Sequence, residues 1–301
     1  MMRAPHSYCV AVRRPDGSCA TEEARLERLS DRYPIFKYPL ARGVGTLCYS
    51  LWLGMKALRF SANVMLEAEL AKEAAARGET LEQTKQNSEM PGWLMAVQIA
   101  FTLVFFLVMY KFIPLVIATQ LQQRVPALSG WIAFNLVDGA VRLLIFVGFL
   151  WVLALSKEIH RVFEYHGAEH RVVFNFESGK PLTVANAQGF RTFHPRCGTS
   201  FLLVVMLVSI VVYAMIPAHT FAARLLTRVL ALPLIMGVSY EIIRFAAKHK
   251  GSLLALITAP GLWLQRITTQ PPSDDQTEVA IRALDGAMEI ERSVGGKMVI
   301  A

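Results

Sequence analysis

The sequence is short of cysteine and of charge for its length. Its 301 residues include four cysteines, whose positions follow no disulfide framework, and this argues against a cross-linked secreted domain. Only 18% of the residues are charged, against about 25% in a typical globular protein. By contrast, 54% are hydrophobic and the mean hydropathy is +0.39. This balance excludes an ordinary soluble domain of this length.

Two further absences narrow the class of protein. Residues 1–17 are polar and basic and hold no apolar core, so we expect no cleaved signal peptide and expect the later apolar runs to direct insertion. No DNA- or RNA-binding motif accompanies the net charge of +8. We therefore attribute the charge to membrane topology and to anionic headgroups, and expect the lipid bilayer but no nucleic acid as a partner.

The apolar residues occur in long blocks, and this pattern predicts transmembrane helices. The expected fold class is an all-α polytopic membrane protein with about four transmembrane helices, interfacial helices and a small N-terminal β-containing module. The spans are predicted at about 93–119, 131–156, 201–217 and 225–247.

The segments outside these predicted spans can also be assigned from their sequence. Residues 7–13 are strand-like and precede the turn Pro15-Asp16-Gly17, which predicts a β-hairpin, with a disordered basic leader as the alternative. A helix at 43–66 carries Lys56 and Arg59 beside its apolar stripe, which favours an interfacial or re-entrant helix over a span. The predicted divisions are a polar N-terminal module (1–42), this helix (43–66), a hydrophilic connector (67–92), transmembrane helices one and two (93–156), a metal-ligand loop (157–200), transmembrane helices three and four (201–247), and an interfacial helix with a polar tail (248–301).

The last of these divisions contains two predicted helices. Residues 253–264 are too short to span a bilayer and indicate an interfacial helix, broken at Pro260-Gly261 and anchored by Trp263. The polar tail contains a short amphipathic helix at 277–288.

Basic residues indicate the orientation. They are concentrated in the N-terminal part, in the loop 157–200 and in the tail, all on one side of a four-span protein. The positive-inside rule places that side in the cytoplasm. We therefore expect a multi-pass protein of the inner (cytoplasmic) membrane with the central loop and both termini cytoplasmic.

The central loop carries residues typical of metal sites. His166 and His170 are four positions apart on a predicted helix, so they share one face, and Glu169 lies beside them. A second pair, His194 and Cys197, follows. Two imidazoles with one further ligand and a carboxylate suit a catalytic zinc ion, with Glu169 as the general base and His194 or Cys197 as the third ligand.

Two other interpretations of this loop remain. If His166, His170, His194 and Cys197 all bind, the coordination shell is closed and the zinc is structural. Alternatively, no metal binds and the histidines contact lipid phosphates. Near the second pair, Thr199 or Ser200 is expected to cap the third span, while Tyr165, Glu164, Asn175 and Glu177 are weaker candidates for supporting the site.

Charged residues inside the predicted spans are a second informative feature. Asp138 and Arg142 are four positions apart, and Glu241 and Arg244 are three apart. Ionisable groups in hydrocarbon usually pair inside the bundle, so we expect two pairs within helices. A polar cavity leading from the central loop is the alternative.

Several motifs together resemble a known family. They are Tyr165-His-Gly-Ala-Glu-His170, His194-Pro-Arg-Cys-Gly-Thr-Ser-Phe201, Ala11-Val-Arg-Arg-Pro-Asp-Gly17 and Pro260-Gly-Leu-Trp-Leu-Gln265. The chain resembles the YqhQ-like bacterial membrane proteins over nearly its whole length. The resemblance implies a family of unknown function with a predicted metal-dependent enzyme activity. The resemblance also implies a Gly-rich segment ahead of the Met-Met-Arg that opens this sequence, so we expect either that the true start lies farther upstream or that this segment is dispensable.

The function expected from these features is that of a zinc-dependent hydrolase at the cytoplasmic membrane edge, acting on a membrane-embedded peptide or a lipid-like molecule. The alternative is a non-enzymatic protein whose structural zinc site forms a docking platform for a cytoplasmic partner. Transport is the weakest reading, because the sequence shows neither internal repeats nor paired broken helices.

Overall fold

A computed structural model describes residues 1–27, 29–77, 92–128, 130–195, 197–249 and 253–300. Part of the predicted connector 67–92, residues 78–91, lies outside this range. The described chain is mostly helical. Its strands are β1 (Met2–Ala4), β2 (Ser7–Arg13) and β3 (Cys19–Arg25). Its helices are α1 (Leu29–Arg32), α2 (Ala41–Arg77), α3 (Gly92–Leu107), α4 (Ile113–Arg124), α5 (Trp131–Ala154), α6 (Lys157–Glu177), α7 (Val184–Gln188), α8 (Gly198–Met215), α9 (Phe221–Leu230), α10 (Leu232–Lys248), α11 (Leu253–Thr268) and α12 (Asp274–Ser293).

The predicted hairpin is present and forms the centre of a small antiparallel sheet. Strand β2 pairs with β3 in a register from Ser7 opposite Arg25 to Arg13 opposite Cys19, and β1 adds to the other edge of β2. Gly17 adopts a φ of 85° in the turn, a conformation that glycine reaches without a steric penalty.

The sheet is completed by the other end of the chain. Helix α12 packs on the sheet and on α6, and it contains the amphipathic helix predicted at 277–288 but is longer at both ends. Apolar residues on one face of α12 close a core shared with the sheet, α6 and α7, comprising Met2, Ala4, Cys9, Ala168, Val172, Val173, Ala187, Ala280, Ala283, Leu284, Ala287 and Met288. We call this assembly the N–C module.

A buried carboxylate ties α12 to the sheet. Glu291 is fully buried and accepts hydrogen bonds from the His6 backbone N–H at 3.0 Å and the Ser7 hydroxyl at 3.2 Å, with His6 Nδ1 at 2.9 Å. Burial raises the pKa of Glu291, but the hydrogen bonds from His6 and Ser7 outweigh it, so the pKa lies below its ordinary value of 4.5.

Replacing Glu291 with glutamine should lower stability at neutral pH but not in acid. A carboxylate whose pKa is lowered by folding stabilises the fold above its unfolded pKa, and this contribution disappears as the pH falls through the folded pKa. We expect Glu291→Gln to cost about 1.5–3 kcal/mol at pH 7, the range for hydrogen bonds to a charged group, and progressively less as the pH falls below 4.5. Thermal unfolding against pH measures this, with the exposed Glu289→Gln as control. Equal stability of Glu291→Gln and wild type at pH 7 would contradict it.

Three helical stretches are long and apolar enough to cross a membrane within the described residues. They are Val97–Arg124, in which α3 and α4 are joined by a π-helical turn at Val108–Phe112, together with Trp131–Ala154 and Gly198–Met215. The pair Phe221–Leu230 and Leu232–Ala246 is bent by 48° and would count as a fourth. The predicted spans thus correspond to these elements, with the first extended to Arg124 and the fourth divided.

Two helices differ from their predicted extent. Helix α2 continues to Arg77 instead of ending at 66, and one side of it packs on the sheet through Leu53. Helix α11 is not broken at Pro260-Gly261 but continues to Thr268. The reason is tertiary: α11 packs closely on α8, where a side chain at Gly261 would collide with Ser200. Trp263 remains 74% exposed, as an interfacial anchor would.

One of the two predicted charge pairs inside the spans is confirmed and the other is wrong. Asp138 pairs with Arg142, and Arg228 of α9 reaches the same carboxylate at 3.2 Å. Glu241, however, pairs with Arg42 at the start of α2, with Arg42 Nε 2.6 Å from Oε1. The pair of Glu241 with Arg42 could not be predicted from local spacing, because the two residues are 199 positions apart.

Candidate metal centre

Helix α6 supplies both histidines of the central motif. Two residues separate it from the end of α5, and the four-residue spacing of His166 and His170 places them on one face. Between them, Gly167 lies so close to the backbone beyond α11 that a Cβ there would collide with the carbonyl oxygen of Gln270. The glycine of the motif therefore allows the chain after α11 to contact the metal-ligand helix.

A loop after α7 brings Cys197 to these histidines. Gln265 of α11 is fully buried and fixes this loop, since its side-chain oxygen accepts from the His194 N–H at 2.7 Å and its amide donates to the His194 carbonyl at 2.8 Å. The same amide donates to Ser200 Oγ at 3.0 Å. Cys197 then occupies the N-cap position of α8 without capping it through its side chain.

The structure brings three of the predicted ligands together. One ligand atom from each of His166, His170 and Cys197 lies within 4.8 Å of the other two. His166 Nε2 is 3.2 Å from Cys197 Sγ, and the two imidazole rings are 4.5 Å apart. This group could hold a metal ion.

Backbone carbonyls fix the tautomers of both histidines. His166 Nδ1 is 2.7 Å from the carbonyl oxygen of Thr268, and His170 Nδ1 contacts that of Thr192. A carbonyl oxygen only accepts, so each Nδ1 must carry the proton. Nε2 is then the nitrogen of each ring that faces the ligand group, with that of His166 in contact with Cys197 Sγ, and a backbone carbonyl on Nδ1 is the arrangement found around histidines that bind metals through Nε2.

The charge state of Cys197 also suits metal binding. Burial by itself raises the pKa of its thiol, but hydrogen bonds with His166 and His170 outweigh this effect and lower the pKa to about 5. For His166, burial is the largest effect and lowers the pKa, but the hydrogen bond and charge of Cys197, the charge of Glu169 and the Thr268 carbonyl together outweigh it and leave the pKa raised. Cys197 is therefore a thiolate at neutral pH, the form of cysteine that coordinates metals.

The structure leaves the other two predicted site residues outside this group. His194 lies next to it, with its ring 5.6 Å from that of His170 and 4.7 Å from that of Phe174, and its Nε2 is 3.8 Å from Glu177 Oε2. Glu169 is half-buried one turn from His166 on α6, close enough for its charge to contribute to the raised pKa of His166. The roles predicted for His194 and Glu169 remain predictions.

Neither predicted cap of the third span forms. Thr199 Oγ1 lies 3.2 Å from Cys197 Sγ, and Ser200 accepts from Gln265. Among the weaker candidates, Glu164 accepts a hydrogen bond from Gln276 at 2.7 Å, and Asn175 donates to backbone carbonyls of the following turn. Both therefore have structural partners.

Sequence reasoning missed the groups that orient the site. Thr192 and Thr268 act through backbone carbonyls, which leave no residue-type signal. The role of Gln265 could have been predicted, since an amide side chain among the apolar residues of α11 is expected to be buried and then requires hydrogen-bonding partners.

Comparison with known proteins gives a family but no activity. Residues 38–290 match the family model described as "Protein of unknown function (DUF1385)". The chain is also similar to the "Uncharacterized protein YqhQ" of Bacillus subtilis (strain 168), with 31% identity over 293 residues that cover 97% of this chain and 90% of the relative. No solved structure matches it significantly.

Proposed function

The chain belongs to the DUF1385 family, as its resemblance to YqhQ-like proteins predicts, and we propose that it is a membrane-bound zinc hydrolase with its metal site on the cytoplasmic side. The family descriptions leave the function unknown, so the proposal rests on the site. The observation that carries it is the convergence of His166, His170 and Cys197, with both histidines held by backbone carbonyls in the metal-binding tautomer.

The donor set favours zinc over harder cations. Two imidazole nitrogens and one thiolate suit zinc, whereas magnesium and calcium prefer oxygen ligands. Three protein ligands leave a fourth position for water or substrate, the arrangement of catalytic zinc. When bound, zinc supplies Lewis acidity that activates water and polarises a carbonyl or phosphoryl oxygen.

Glu169 is the proposed general base. It lies on the same helix as both histidines and is half-buried, while its carboxylate is outside the ligand group. It can therefore take a proton from an attacking water and deliver it to a leaving group. The backbone partners of His166 and His170 keep these ligands fixed while that proton moves.

The position of the metal site relative to the candidate spans suggests the class of substrate. Helix α6 follows α5 after two residues, and Cys197 immediately precedes α8, so the site lies at the ends of two helices capable of spanning a membrane. A membrane-embedded peptide or a lipid-like molecule could reach it there. The basic residues around the loop favour a cytoplasmic position for this edge.

The proposal is tested by separating metal binding from activity. The full chain, purified in detergent, is analysed for bound zinc, and a deletion strain is complemented with each variant. We expect Glu169→Gln to keep one zinc per chain and to lose complementation, because it removes the base and no ligand. Glu158→Gln, an exposed carboxylate on the same helix, is the control and should keep both properties.

Other outcomes would overturn the hydrolase. If Glu169→Gln keeps zinc and complementation while His166→Ala loses both, the zinc is structural and supports a docking platform. If wild-type protein binds no zinc, both readings are wrong.

A further inference from the structure

A basic cavity lies between the start of α2, the sheet and α10. It has a volume of about 370 Å³, and four basic side chains line it: Arg3, Lys37, Arg42 and Arg244. The aromatic residues Phe36, Tyr49 and Tyr240 form much of the remaining wall, and no acidic residue of the described chain lines it. The metal ligands take no part in it.

Most of this positive charge is not neutralised by the protein. Arg42 is engaged by Glu241, whose carboxylate also interacts with Arg244 at longer range. Within the described residues, Arg3 and Lys37 form no ion pair with a carboxylate, and Arg244 forms no close one. Arg3 instead lies over the ring of Tyr49 at 5.4 Å and donates to Ser50 Oγ at 3.2 Å. Its Nε is buried without a hydrogen-bond partner among the described atoms. Unpaired guanidinium groups in a cavity favour an anionic occupant.

An apolar cavity continues from the basic one. Its volume is about 550 Å³, and it shares Arg42 and Arg244 with the first cavity while Leu40, Val238, Ile242 and Phe245 line the rest together with Glu241. The two cavities together thus have a basic end and an apolar end. The volumes lie in the usual range for small-molecule sites.

The backbone at this junction is strained. Leu40 has a φ of 65°, the only positive φ of a non-glycine residue in the described chain. Gly237 permits the close approach, since a Cβ there would lie 2.9 Å from Leu40 Cα. A residue with a side chain is strained in this conformation, and such strain concentrates at functional sites.

We propose that these two cavities together bind one anionic phospholipid. The phosphate would lie among Arg3, Lys37 and Arg244, and an acyl chain would follow the apolar cavity along α10. This helix belongs to the bent candidate span, and Glu241 and Arg244 lie near the end of that span, so the site meets the bilayer at headgroup depth. Charge and apolarity therefore change along the site in the same order as along a phospholipid. The site does not depend on the metal centre.

The experiment measures lipid binding to the full chain in detergent by native mass spectrometry. Phosphatidylglycerol is compared with phosphatidylcholine, which has the same chains but no net charge. We expect retention of one phosphatidylglycerol with at least tenfold preference. Each basic residue near the headgroup contributes about fivefold, so Lys37→Gln/Arg244→Gln should weaken binding about 25-fold. Both residues are exposed and their replacement should not unfold the protein, which thermal unfolding checks.

Matched controls separate a site from general charge attraction. Arg266→Gln removes another exposed cation, from α11, and should leave lipid binding unchanged. Val238→Trp fills the apolar cavity and should lower lipid binding without changing the charge. Equal binding of the two lipids, or equal loss with Arg266→Gln, would overturn the proposal. The proposal would also be overturned if glycerol phosphate displaced phosphatidylglycerol as effectively as added phosphatidylglycerol does, since that result indicates a site for small anions. Zinc content should be the same in all variants, so failure here is distinct from failure of the metal site.

Discussion

Replacing Cys197 with alanine should remove tightly bound zinc from the purified protein. Zinc sites contribute about 10–16 kcal/mol of binding free energy, so one of four coordination positions accounts for about 3 kcal/mol, or roughly 100-fold in affinity. The loss of zinc affinity should be at least this large, because Cys197 supplies the negative charge of the ligand group and its sulfur is 3.2 Å from His166 Nε2. Zinc titration with a chelating indicator measures the change.

The controls for this prediction lie in the same chain. Cys48 is an exposed free cysteine on α2, and Cys48→Ala should keep the affinity of wild type. His170→Gln should lose zinc as Cys197→Ala does. Unchanged zinc affinity in Cys197→Ala would place the metal elsewhere and end the proposal.

His194→Gln decides how many ligands the site has. We expect this variant to retain zinc, because His194 lies outside the group whose ligand atoms are within 4.8 Å. If it loses zinc as fully as Cys197→Ala, the coordination shell has four protein ligands and the structural reading gains over catalysis.

Replacing Asp138 with alanine should destabilise the helical bundle by about 3–5 kcal/mol, the cost of leaving a buried charge unpaired. Asp138 is 1% exposed and contacts two buried guanidinium groups, those of Arg142 and Arg228. Lys111 lies in the same region, with its Nζ 3.0 Å from Tyr213 Oη. The variant leaves these cations without their carboxylate.

Thermal unfolding in detergent measures this effect. Leu144→Ala, on the same helix but 73% exposed, is the control and should change stability little. Should Asp138→Ala unfold at the temperature of wild type, Arg142 and Arg228 must be neutralised by something other than this carboxylate.

Local sequence patterns predicted some elements well. Pro15-Asp16-Gly17 predicted the hairpin because a turn between strand-like runs is encoded by adjacent residues. The apolar blocks predicted helices at 131–156 and 201–217, close to the observed Trp131–Ala154 and Gly198–Met215. His166 and His170 were placed together by helical periodicity alone.

Contacts between distant residues were not predictable in this way. Ser7 donates to the Ala287 carbonyl, 280 positions away. Glu241 forms its ion pair with Arg42 rather than with Arg244. Neither contact leaves a periodic signal. The sequence also did not show which of His194 and Cys197 lies with His166 and His170. Both belong to one short loop, and the path of that loop over Gln265 brings Cys197 into the group.

The sequence by itself determined where most elements lie and which residues are candidate ligands, because hydropathy, turn residues and helical spacing act over a few residues. It did not determine the full extent of α2, α11 and α12. Tertiary structure decided that the two ends of the chain form one module around α6 and that Cys197 joins His166 and His170. It also decided that unpaired cations gather beside an apolar cavity. These outcomes depend on which surfaces meet after folding, and packing and charge pairing between distant segments are properties of the folded chain.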